Sequence, residues 1–217
     1  MEAAVGFHQT GDLTRAAGLY QSVLDRYPDL PDALNFLGII AGDMGQSEKA
    51  LALVKRSLVL DPANGVYHNN HGNIFRQTGA FVEAIAAYQR AIRYAPDYAV
   101  AYSNLGVALN RTGQAIDAEV AFRRAIGIDP HYFDAYNNLG TGLYLQARYD
   151  EAVVVFREAV SVGPKGPSAR NNLANVLAML GKFDEAEQVC RDAVEIDSGH
   201  AISQVTLGGV LEAQGQF

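Results

Sequence analysis

Residues 101–130 read AYSNLGVALNRTGQAIDAEVAFRRAIGIDP, from Ala101 to Pro130. Apolar residues recur at helical spacing in two runs: Leu105, Ala108 and Leu109, then Ala118, Ala121, Phe122 and Ala125. That is the pattern of two amphipathic helices with one buried stripe each. Gly113, between them, can take the positive φ that ends a first helix, and Pro130 stops the second. The stretch is one copy among several. Pro28, Pro62, Pro96, Pro130 and Pro164 fall at a constant spacing of 34, with Ser198 in the next place. Taking Pro31, Gly65, Ala99, Phe133, Pro167 and Ala201 as first positions, the eighth holds Gly38, Gly72, Gly106, Gly140, Ala174 and Gly208. The twentieth holds Ala50, Ala84, Ala118, Ala152 and Ala186, small enough to let the two helices of a copy approach closely.

The phrases AYSNLGVAL and GQAIDAEVAFRRAIGIDP, repeated as AYNNLGTGL and ARYDEAVVVFREAV, are similar to the 34-residue unit of the tetratricopeptide repeat family. The resemblance runs the length of the chain. It implies an all-α fold, a right-handed α-solenoid (superhelix) of helix-turn-helix units whose first helices line a concave face. It divides 1–217 into a single array: a partial repeat over 1–30, full repeats over 31–64, 65–98, 99–132, 133–166 and 167–200, and a lone first helix over 201–217. The fourth position departs from the large aromatic the family favours, holding Leu34, His68, Tyr102, Tyr136, Arg170 and Gln204, and the chain has no Trp. Both ends fall inside a repeat and leave Leu207, Val210 and Leu211 without a partner helix. Two readings follow, a fragment of a longer protein or end-to-end self-association.

Composition narrows the partners. With 49% hydrophobic and 19% charged residues over 217 positions, the chain can bury a substantial core. A net charge of −7, with no basic block, argues against nucleic acid and anionic membranes, which need clustered Lys and Arg. No run approaches the roughly 18 apolar residues of a membrane span, and the first residues have neither the basic nor the apolar region of a leader. The single cysteine, Cys190, excludes an intrachain disulfide framework and fits a reducing compartment. The expectation is a soluble, cytoplasmic chain that binds a protein or peptide, without cofactor and without catalysis of its own.

The candidate site is the concave face. Fifth positions hold Asn35, Asn69, Ser103, Asn137 and Asn171; sixth positions hold Asn70, Asn104, Asn138 and Asn172; ninth positions add Asn73, Thr141 and Asn175. These positions form one patch of a first helix, and the patch carries carboxamides in place of charge. A carboxamide both donates and accepts, so it can pair with the N–H and C=O of a peptide. Helices about 8–10 Å apart and a peptide rise of about 3.3 Å per residue would let one Asn per repeat meet the ligand about every third residue. The other reading of the same amides is structural, each bonding a neighbouring turn or helix.

The resemblance separates two kinds of groove. Family members that capture a C-terminal carboxylate carry Lys and Arg at positions two, five and six, whereas position two here holds Asp32, Val66, Val100, Asp134 and Ser168. The Asn series in NNLG and SNLG phrases is instead similar to the superhelical region of O-linked N-acetylglucosamine transferases. That likeness implies an acceptor-recognition region of a larger glycosyltransferase as the alternative function, and a nucleotide-sugar fold encoded after Phe217 would support it.

Other chemistry-bearing residues fall into the repeat frame. His68 and His71, in YHNNHGN (67–73), could suggest a metal because His at i and i+3 share a helix face, but they stand where later copies have Tyr102 and Leu105, then Tyr136 and Leu139. They read as packing residues, with no third ligand at a suitable offset. Cys190 shares position twenty-four with Tyr20, Val54, Tyr88, Phe122 and Phe156 and reads as core. Gly163-Pro164-Lys165-Gly166-Pro167 lacks the spacing and ending of a phosphate loop and reads as a turn between repeats. Asp150-Glu151 and Asp184-Glu185 open second helices, where negative charge suits the helix dipole.

Overall fold

In the computed structural model, residues 2–164 and 166–215 are described; Met1, Lys165, Gln216 and Phe217 lie outside them, as does the side chain of Glu2. The described residues form helices throughout: α1 (Glu2–Gln9), α2 (Leu13–Arg26), α3 (Pro31–Asp43), α4 (Ser47–Leu60), α5 (Gly65–Gln77), α6 (Phe81–Tyr94), α7 (Ala99–Arg111), α8 (Ala115–Ile128), α9 (Phe133–Leu145), α10 (Tyr149–Val162), α11 (Pro167–Met179), α12 (Phe183–Ile196) and α13 (Ala201–Ala213). The fold class is the all-α helical repeat expected from the period. Contacts divide the chain into two compact units, residues 1–113 and 114–217.

Each helix ends for a reason visible in its residues. Position fifteen takes the left-handed conformation at Gly11, Gly45, Gly79, Gly113, Gly181 and Gly215, with φ between 71° and 80°. After α3, the Gly45 N–H donates to the Gly42 carbonyl and the Gln46 N–H to the Ala41 carbonyl, which satisfies carbonyls the helix leaves unpaired. Ala147 adopts the same turn without being glycine, at φ 58°. Pro31 and Pro167 open α3 and α11 at the first helical turn, where the missing N–H costs nothing. Asn64 caps α5 by accepting from the Val66 and Tyr67 amides.

Packing within a copy is set by positions eight and twenty-four. Tyr20, Val54, Tyr88, Phe122, Phe156 and Cys190 are all at most 1% exposed. Glycine across from the ring makes room for it: a Cβ on Gly72 would lie 2.6 Å from Tyr88 Cε1, and one on Gly140 would lie 2.7 Å from Phe156 Cε1. The copy with the small Cys190 carries Ala174 at position eight, and both are fully buried. Burial pushes the Cys190 thiol up to about 11, with Glu187 adding to the effect, so it stays protonated and inert at neutral pH.

Candidate functional site

The first helices pair within each unit in a fixed register. Asn70 Nδ2 donates to Asn35 Oδ1 at 3.2 Å, Asn104 Nδ2 to Asn69 Oδ1 at 2.9 Å, and Asn172 Nδ2 to Asn137 Oδ1 at 2.9 Å. The Tyr67 hydroxyl meets Asp32 Oδ1 at 2.5 Å with the same offset. The offset of 35 in each case is one period plus one residue. Successive first helices therefore sit one residue out of step, and the sixth side chain of one copy reaches the fifth of the copy before.

That register sorts the ten candidate asparagines. Asn35, Asn69 and Asn171 are 1%, 2% and 3% exposed, so almost none of each amide reaches solvent. The reading that placed these three on the groove is corrected by their burial: position five is covered from the following copy, whose position-six side chain reaches it. Asn70, Asn73, Asn104, Asn137, Asn138 and Asn172 are half-buried, and Asn175 is exposed. Asn73 Oδ1 accepts from the Tyr88 hydroxyl at 2.9 Å, so its carbonyl serves its own copy. Asn70, Asn104 and Asn172 spend one N–H on a neighbour and keep a carbonyl oxygen and a second N–H. Asn171 has no partner for either amide atom, because the residue one period and one position further on is Thr206 instead of Asn.

The second unit shows what the face offers. A cleft of about 200 Å³ lies between α9 and α11, lined by Thr141, Tyr144, Leu145, Asn172, Asn175 and Val176, with Phe156 behind. Carboxamides stand beside an aromatic ring and an aliphatic wall, and no charged side chain lines it. Tyr144 and Leu145, at positions twelve and thirteen, were not among the residues singled out by sequence. Their spacing from Thr141 (i+3 and i+4) is the signal that would have found them.

Other polar side chains have partners within the fold. His68 Nε2 lies 3.0 Å from the Pro62 carbonyl; Arg170 Nη1 and Gln204 Nε2 reach the Pro164 and Ser198 carbonyls at 2.7 Å each. Three different side chains at position four thus clamp the same turn, each on the residue six earlier. Arg148 binds Glu119 and Glu151, holding both carboxyls below the usual carboxylate range. Among the described residues, no group of three or more His, Cys, Asp or Glu is placed to hold a metal ion. Lys165, in the turn between α10 and α11, lies outside the described residues.

Family models described as "Tetratricopeptide repeat" match residues 3–65 and 137–201, and another 99–128; one described as "TPR repeat" matches 72–113. No curated protein matches the chain. Among solved structures, the chain is similar to MamA, at 29% identity and TM-score 0.65, covering 76% of this chain and 96% of that one. It is similar to YrrB, a TPR protein with an unusual peptide-binding site, at 19% identity and TM-score 0.64, covering 87% and 97%. It is also similar to PilW, a widely conserved type IV pilus biogenesis factor, at 18% identity and TM-score 0.84, covering 95% and 96%.

Proposed function

The chain belongs to the tetratricopeptide repeat family, and from that premise we propose that it is an interaction scaffold whose first helices dock an extended segment of a partner protein. The observation that carries this reading is the uncharged cleft between α9 and α11, where Asn172 and Asn175 stand beside Tyr144, Leu145 and Val176. Free amide groups there suit a peptide backbone, while the ring and aliphatic wall suit one apolar side chain of the ligand. YrrB, which shares the fold, is described as having a peptide-binding site, and that supports the same use here.

The ligand is read by chain shape and one apolar anchor, in contrast to a carboxylate clamp, because the face has no cation at its centre. Position-five asparagines act from behind, holding the position-six amides in orientation. The test is a peptide array probed with the native chain and with Asn175→Ala and Leu145→Glu. Both residues are exposed, so neither change disturbs the core. Loss of the same set of peptides by both variants is the expected result. Unchanged peptide profiles in folded variants would remove the cleft from the function. A nucleotide-sugar fold encoded beyond residue 217 would assign the same face to acceptor recognition in a glycosyltransferase.

A further inference from the structure

The opposite face of α5 carries a second cleft, of about 490 Å³, bounded by α4, α5 and α6. Successive residues of a helix turn by about 100°, so His68, His71 and Phe75 share one side of α5 while Asn69, Asn70 and Asn73 share the other. His68 and His71 form the floor, Lys55 and Arg90 stand at the mouth, and Leu51, Leu58 and Phe75 supply apolar wall.

At two of the positions lining the cleft this copy differs from the two copies that follow it. Later copies put Tyr102 and Leu105, then Tyr136 and Leu139, where this one has His68 and His71. An imidazole is shorter than a phenol and more polar than an isobutyl group, so the two changes leave a polar floor. His68 Nε2 faces the Pro62 carbonyl at 3.0 Å. A carbonyl only accepts, so Nε2 carries the hydrogen; Nδ1, buried in a side chain 7% exposed, has no partner. The His68 ring stacks on Tyr94 at 5.3 Å and His71 leans on Phe75 at 4.6 Å, which holds both rings in place.

The charges around the cleft are of one sign. Lys55 and Arg90 are exposed, and among the described residues neither takes part in an ion pair, whereas Arg56, Arg123 and Arg157 each hold a carboxylate. No Asp or Glu lines the cleft. His71 is held down to about 4 by burial first, then by His68, Arg90 and Lys55. In a chain of net charge −7 this is a local positive site without a counter-charge. The same two cations repel a metal ion, and the pair of histidines has no third ligand.

We propose that this cleft binds a small amphiphilic anion, its oxyanion headgroup between Lys55 and Arg90 over the imidazoles and its apolar body against Leu58 and Phe75. The headgroup is a carboxylate or a phosphate, since the Lys55 ammonium and the Arg90 guanidinium donate to both; the N–H of His68 is taken by the Pro62 carbonyl. This site is independent of the cleft between α9 and α11, with which it shares no residue.

The test is calorimetric titration of the native chain with octanoate and with octyl phosphate below their micellar concentrations. Octanol serves as the neutral control and inorganic phosphate as the headgroup alone. The imidazole resonances of His68 and His71 are followed in parallel by NMR. Saturable binding of an anionic amphiphile, with shifts at both imidazoles and no comparable binding of octanol, is expected; which anion binds tighter identifies the headgroup. Lys55→Gln and Arg90→Gln should each weaken binding about three- to tenfold, the loss of one partly screened charged contact. His71→Leu, which restores the residue of the later copies, should fill the floor and abolish binding while the helical CD signal is kept. Equal binding of octanol, unchanged affinity in the Lys55→Gln/Arg90→Gln double variant, or no binding of either anion would each overturn the proposal.

Discussion

Position eight is the least tolerant place in a copy. A methyl group at Gly72 or Gly140 would enter the ring of Tyr88 or Phe156 at under 3 Å, with both rings fully enclosed. Gly140→Ala should therefore cost about 1–3 kcal/mol, as overpacked cores do, seen as a lower midpoint in urea. Asn104→Ala should cost about as much for a different reason, leaving the Asn69 carbonyl buried without its donor at about 1–3 kcal/mol. Asn175→Ala, on an exposed residue, should leave the midpoint unchanged within about 0.5 kcal/mol. Asn104→Ala therefore confounds ligand contact with interrepeat structure, and Asn175 is the cleaner probe. His71 adds a pH signature. Its pKa falls from 6.5 to about 4 on folding, so between those values the unfolded chain holds more protons. Stability from this residue is complete above about pH 6.5 and is lost as pH falls toward 4. Thermal denaturation from pH 7 to pH 4.5 should show that loss in the native chain and a smaller one in His71→Leu.

At the scale of the element, what varies is the end of the first helix. Six glycines share a positive φ at the fifteenth position, and Ala147 is forced into it between α9 and α10. A non-glycine residue there carries about 1 kcal/mol of steric cost. Ala147→Gly should raise stability by a part of that, since glycine also loses more entropy on folding; a midpoint below that of the native chain would refute the account. Helix existence and ends were legible in the sequence because Gly, Ala and Pro at fixed places each answer a local steric demand. The clamp on the turn was not legible. His68, Arg170 and Gln204 have no common chemistry in a list of residues, and only the shared carbonyl partner six residues back unites them.

For the whole molecule, contacts within each unit run between a helix and its near neighbours in sequence, as α3 with α4 and α5, or α11 with α9, α10, α12 and α13. Such an array holds together copy by copy. Gly140→Ala should then speed amide exchange first in α9 to α11, with α3 and α4 unaffected until global unfolding. Exchange accelerated equally in both units would show a single cooperative body instead. No helix among the described residues is long and apolar enough to cross a membrane.

The period of 34, the two-helix copy, the glycine turns and the buried ring at position twenty-four follow from the sequence alone, because they depend on residues near one another in the chain. Tertiary structure decided which amides are free. A helix repeats every 3.6 residues and places positions five, six and nine on one patch, but nothing in that pattern tells how far one first helix slides against the next. The slide is one residue, fixed by the packing of whole side-chain layers. It puts Asn35, Asn69 and Asn171 inside, leaves Asn175 in solvent, and brings Tyr144 and Leu145 to the same cleft. It took the packed second helices, in the same way, to show that His68 and His71 share a cleft with Lys55 and Arg90, since those four residues come from three helices.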